Sequence, residues 1–140
     1  MTHKSSFDIQ TPDDFFTKVV LPQYEEFIQE NASSRKALIA VIVTYHMFEW
    51  AYGHKFDKAN STLPSNINDL FDIARRITNG TKHFKPKIGT KRQAGFSSAF
   101  SDGFSRPLII VDDKSEISAD QLLHEMIEHW KTSYVRQRGL

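Results

Sequence analysis

The sequence predicts a mainly α-helical single domain, a bundle of about four helices with a β-hairpin inserted before the last helix, near residues 92–112. Three observations carry that expectation. Apolar residues recur at helical spacing in long stretches. Helix-start signals precede each of those stretches. Between residues 84 and 113 the pattern changes to alternating glycine, serine and phenylalanine, followed by a compact β-branched run.

The first helix begins at Thr11, Pro12, Asp13 and Asp14. Thr11 can cap free backbone amides, Pro12 suits the first helical position, and the two acids oppose the positive end of the helix dipole. It runs towards residue 31, with Pro22 forcing a kink or a break near its middle. Ser33 and Ser34 open a second helix that lasts to about Gly53. Its centre, residues 37–43, is apolar on every side, which predicts the central element of the core. After a polar loop at 58–62, Pro64 and Ser65 introduce a third helix with the stripe Ile67, Leu70, Phe71, Ala74 and Ile77. Asn79-Gly80 is the expected end of that helix, because glycine tolerates the left-handed conformation that follows one.

In the hairpin, Phe96, Ser98 and Phe100 alternate, Asp102-Gly103 is the turn signal, and residues 108–111 are the returning strand. Ser118 and Gln121 form a capping-box pattern that opens the last helix. Its stripe is Leu122, Leu123, Met126, Ile127, Trp130 and Tyr134, and Arg136, Arg138 and Gly139 suit its end.

At 140 residues the chain has the usual size of one domain and can bury about two thirds of its unfolded surface. It has no cysteine, which excludes a disulfide scaffold, a thiolate zinc site and a cysteine nucleophile. Residues 1–10 lack the apolar run of an export signal, and the longest apolar run is too short to cross a bilayer, so the expectation is a cytoplasmic protein without membrane contact. Net charge is +1, which makes no strong overall offer to nucleic acid. The charge is uneven, however. Arg75, Arg76, Lys82, Lys85, Lys87, Lys91 and Arg92 fall in one stretch that contains no acid and also holds His83. Such a stretch is either a solvated loop or a grip for phosphate.

Within it, Arg76, Asn79 and His83 fall within about 60° of one another on a helical wheel, provided that the third helix continues through Gly80. A guanidinium neutralises phosphate charge, and an imidazole can move protons during attack by a ribose hydroxyl. No metal or other cofactor is needed. An Arg, a short spacer and a His on a helix of a helical bundle resembles the HEPN superfamily, whose members include metal-independent RNA endonucleases of bacterial defence and toxin systems. The resemblance covers about a dozen residues. It implies catalytic roles for Arg76 and His83 with Asn79 in support, and a homodimer whose two motifs line one cleft; beside it, the basic stretch offers further RNA contacts from Arg75, Lys82, Lys85, Lys87, Lys91 and Arg92. Ile77 departs from the pattern, since these motifs usually carry a polar residue after the arginine.

Other constellations are open. His124, Glu125, Glu128 and His129 look like a zinc-protease signature, but that needs His at its first and fifth positions, and the fifth here is Glu128. Surface pairing of His124 with Glu128, or of Glu125 with His129, is the expectation. His46 and Glu49 satisfy each other on the second helix or face a pocket. If a metal site exists, His46 and Glu49 would meet His124 or His129 in it, across a helix contact. Phe96, Phe100 and Phe104 cover the core or a subunit contact, or stack RNA bases. Two further readings therefore stand beside the ribonuclease: a non-enzymatic, homo-oligomeric interaction protein and a helical metal-binding protein.

Overall fold

In the structure, a computed structural model that describes residues 6–85, 88–92, 108–112 and 115–135, the first helix starts where the sequence signals it. The Thr11 hydroxyl accepts from the Asp14 amide at 3.0 Å, and the Asp14 carboxylate accepts back from the amides of Gln10 and Thr11. α1 (Pro12–Phe15) passes through one π-helical turn (Phe16–Val20) into α2 (Leu21–Gln29). Pro22 offers no amide proton, and its ring crowds the carbonyl four residues back. The wider turn, in which the Leu21 amide donates to the Phe16 carbonyl, absorbs that. The expected break is a change of winding.

α3 (Ser34–Tyr52) begins with the Ser33 hydroxyl accepting from the Lys36 amide at 3.2 Å and ends at Gly53, whose φ is 78°. It packs on α1, α2, the π-helical turn and two later helices, which makes it the central element. Ala37, Ala40, Val41, Thr44, Tyr45, Met47 and Phe48 form its buried face. Ile39 is exposed, so the apolar run is not enclosed on every side.

α4 (Ser65–Lys82) buries Leu70, Phe71, Ile73 and Ala74, with Ile67 and Ile77 half-buried. It does not stop at Asn79-Gly80. Gly80 is buried inside the helix, and the left-handed residue is Phe84, with φ 57°. The His83 amide donates to the Asn79 carbonyl at 3.1 Å and the Lys85 amide to the Gly80 carbonyl at 2.9 Å, which closes the helix end. A glycine inside a helix costs only about 1 kcal/mol, and burial of the last turn through Thr78 and Gly80 offsets it.

The inserted element is a three-stranded antiparallel sheet, β1 (Gly89–Arg92), β2 (Leu108–Asp112) and β3 (Ser115–Ser118), in that spatial order. Thr90 lies opposite Ile110, and Ile110 opposite Ile117. Leu108 and Ile110 point into the core, and Ile109 between them is only half-buried, the alternation of a one-sided sheet. The third strand is an addition to the expected hairpin. Phe96, Ser98, Phe100, the Asp102-Gly103 turn and Phe104 lie outside the described residues, as do Lys87, Arg136, Arg138 and Gly139 and the side chain of Tyr134.

α5 (Ala119–His129) is capped by the Ser118 hydroxyl, which accepts from the Gln121 amide at 3.0 Å, and it continues as a π-helical turn (Trp130–Val135). Leu122, Leu123, Met126, Ile127 and Trp130 are buried as the stripe predicts. Trp130 is the hub: it packs against Phe48 and Phe71, and its indole N–H donates to the Thr44 carbonyl on α3 at 3.3 Å. Among the described residues no helix is long and apolar enough to cross a membrane.

Candidate functional site

The continuation of α4 to Lys82 puts Arg76 and Asn79 on one face of the helix, about 60° apart. His83 is the residue that caps the helix, one position beyond its last turn. Asn79 and His83 are exposed, whereas Arg76 is half-buried. The face that carries them is not open along its length, because Asp72 and Ile73, one turn earlier, are buried.

Arg76 is held between two carboxylates. Its Nη1 donates to Asp112 Oδ1 at 2.8 Å and its Nη2 to Asp112 Oδ2 at 2.7 Å, a two-pronged grip on the end of β2. Its Nε lies 3.3 Å from Asp72 Oδ2, an ion pair without the alignment of a hydrogen bond. Asp72 is itself 7% exposed, and a carboxylate so far from water requires partners. Arg75 supplies one, with Nε and Nη2 at 3.0 and 2.9 Å from Asp72 Oδ1. Lys58 lies 3.9 Å from the other oxygen. Arg76 also borders an apolar cavity of about 220 Å³ lined by Ala37, Leu38, Val41, Ile77, Ile88 and Leu108. Its guanidinium thus meets charge while its stem covers apolar surface.

The rest of the basic stretch divides in two. Lys91 pairs with Glu116 across the sheet at 2.7 Å, and Arg92 donates to the Ala32 carbonyl at 2.7 Å. Lys82 and Lys85 are exposed and carry no ion pair among the described residues. Between them stand His83 and Phe84, the latter 93% exposed. Within the described part of the basic stretch, the charge available to an external anion is therefore concentrated at the C-terminal end of α4.

No group of three potential metal ligands comes together among the described residues, so His46, Glu49 and His124 do not form a metal site. Glu49 and His124 are exposed, and the His46 ring lies 5.6 Å from that of Tyr45. His129 is not a surface partner of Glu125 as expected. It is 8% exposed, with its ring 5.8 Å from Phe71 and 5.2 Å from Trp130. Its helical position borders the apolar stripe, and the aromatic rings of α4 and of its own helix extend the buried arc over it.

Sequence reasoning missed three residues here: Asp72, Asp112 and Phe84. Asp72 sits four positions before Arg76, a spacing that signals an ion pair on a helix. Asp112 has no local signal, since it is 36 residues away in the chain. Phe84 could have been noticed as an aromatic between Lys82, His83 and Lys85, the interleaving typical of surfaces that bind single-stranded nucleic acid. Comparison with known proteins finds no family model, no curated protein and no solved structure that matches the chain.

Proposed function

We propose that this chain is a HEPN-like, metal-independent RNA-binding and RNA-cleaving protein of bacterial defence or toxin type, acting in the cytoplasm as a homodimer. The observation that supports this reading is the passage of α4 through Gly80, which keeps Arg76 and Asn79 on one face and delivers His83 at its end. Cleavage requires a ribose 2′-hydroxyl to attack the adjacent phosphorus, forming a cyclic phosphate and releasing the 5′-oxygen. His83 takes the hydroxyl proton or protonates the leaving oxygen. A second copy supplies a second imidazole for the opposite transfer. Arg76 meets the scissile phosphate by exchanging the Asp112 carboxylate for it, since carboxylate and phosphate offer the same fork of acceptor oxygens. Asn79 orients the phosphate, and Arg75, Lys82 and Lys85, with Lys87, Lys91 and Arg92, add cationic contacts along the strand.

The test is cleavage of a long, structured RNA by the purified protein in excess EDTA, beside the variants His83→Ala and Asn79→Ala. Both residues are exposed, so these changes leave the fold intact. Loss of the imidazole is expected to lower the rate by about 100-fold or more. Arg76→Ala is informative only beside a melting curve, because that side chain also holds Asp72 and Asp112.

A second reading, a non-enzymatic interaction protein, draws support from that same two-pronged grip, which gives Arg76 a structural duty. A folded protein that neither cleaves nor binds RNA at micromolar concentration would favour it.

A further inference from the structure

We propose that Phe84 is a stacking platform for an unpaired RNA base at the end of α4. This rests on the RNA reading of the same helix end and assigns it a preference for single-stranded substrate. Two independent features meet at Phe84, and in neither does the phenyl ring serve the fold. Its ring is 93% exposed, so it gains almost nothing from burial. Its φ is 57°, the left-handed region that disfavours a side chain and is normally left to glycine at this position after a helix. A glycine would close α4 through the same bonds, His83 amide to Asn79 carbonyl and Lys85 amide to Gly80 carbonyl, without that strain. A phenyl ring left facing solvent at a conformational cost is the arrangement that base stacking needs: an open π-face with cations on either side.

The surroundings select the ligand. Lys82, His83 and Lys85 are all exposed, and the two lysines carry no ion pair among the described residues. The ring therefore lies where a phosphate backbone would be drawn. Phe7 shares the positive φ and the exposure but, among the described residues, lacks this setting. It occupies a tight turn bridging Ser6 and Ile9, where the Lys18 ammonium is taken up by the Asp8 carbonyl and the Asp14 carboxylate.

The experiment compares the full chain with Phe84→Gly, Phe84→Trp and the double variant Lys82→Ala/Lys85→Ala. It measures melting temperature and the affinity for a fluorescent, unstructured oligouridine by anisotropy. Phe84→Gly is expected to raise the melting temperature by about 3 °C while weakening RNA binding by about five- to thirty-fold. Phe84→Trp is expected to retain binding, with indole emission quenched on addition of RNA. These opposed effects on stability and affinity are not what a structural phenylalanine would produce. If Phe84→Gly binds RNA as the parent does while the lysine variant binds less well, stacking is refuted and the RNA reading survives. If the folded parent binds no RNA, both fall together. If Phe84→Gly alters only the sedimentation of the protein and not its RNA affinity, the ring belongs to a subunit contact and the proposal is overturned.

Discussion

His129 carries a titratable ring into an aromatic setting, and the consequence is a pH dependence with a definite sign. Its Nδ1 is hydrogen-bonded to the Ser133 hydroxyl at 3.3 Å, and its buried Nε2 meets no hydrogen-bond partner among the described residues. Burial pushes its pKa below the usual histidine value, because the charged ring would lose its hydration without gaining a counter-charge. In the unfolded chain the ring titrates at about 6.5. As pH falls through that value the unfolded state takes up a proton that the folded state refuses until its own, lower pKa is reached. Stability is therefore lost across that window and is unaffected by this group above it. The urea midpoint of the parent is expected to drop further between pH 7.5 and pH 5.5 than that of His129→Phe. Parallel slopes would assign the acid sensitivity to other groups. The helical wheel placed His129 at the border of the apolar stripe, but the width of the buried arc depends on which rings α4 brings against it.

At the scale of the element, helix starts follow local chemistry closely. Thr11, Ser33 and Ser118 each accept the backbone amide that their position predicts, since a cap is settled within three residues of sequence. The end of α3 behaves in the same way. Gly53 has φ 78°, and a Cβ there would meet nothing within 4 Å, so Gly53→Ala isolates the backbone cost. The expected loss is about 1 kcal/mol of unfolding free energy, measured by urea denaturation with an unchanged m-value. The end of α4 was not legible, because the stop signal in Asn79-Gly80 is worth no more than the packing that overrides it. β3 was illegible for a different reason: Ser115, Glu116, Ile117 and Ser118 hold one apolar residue, and their strand conformation comes from pairing with β2.

For the whole molecule, the sheet is joined to the bundle by an apolar face and a few polar ties. Leu108 and Ile110 enter the common core. The Arg76–Asp112 pair ties β2 to α4, Arg92 ties β1 to the corner between α2 and α3, and Asn31 ties that corner to Asp120 on α5 at 2.9 Å. The first of these is short, two-pronged and shielded, with side chains 27% and 18% exposed. A double-mutant cycle of Arg76→Ala and Asp112→Ala is expected to give a coupling of about 1–2 kcal/mol in unfolding free energy. Either single change should cost more than its share of the double, because each takes the short two-pronged bond away from a charge that stays half-buried. A coupling near zero would mean that the apolar face alone holds the sheet in place.

The helical class, three helix caps, the central place of α3, the stripe of α5 and the returning strand of the sheet all follow from the order of residues, because each is decided by neighbours within one or two turns. Position on a wheel, the grouping of cations between Arg75 and Arg92, and the shared side of Arg76 and Asn79 were equally local matters. Tertiary structure alone decided which of those cations are spent inside the molecule. Asp112 reaches Arg76 from 36 residues away, Glu116 holds Lys91, and the Ala32 carbonyl holds Arg92, while Lys82, His83, Phe84 and Lys85 are left facing solvent. The physical reason is range: helix propensity and capping act along the chain, whereas burial and ion pairing act across space and depend on which segments the core has already brought together.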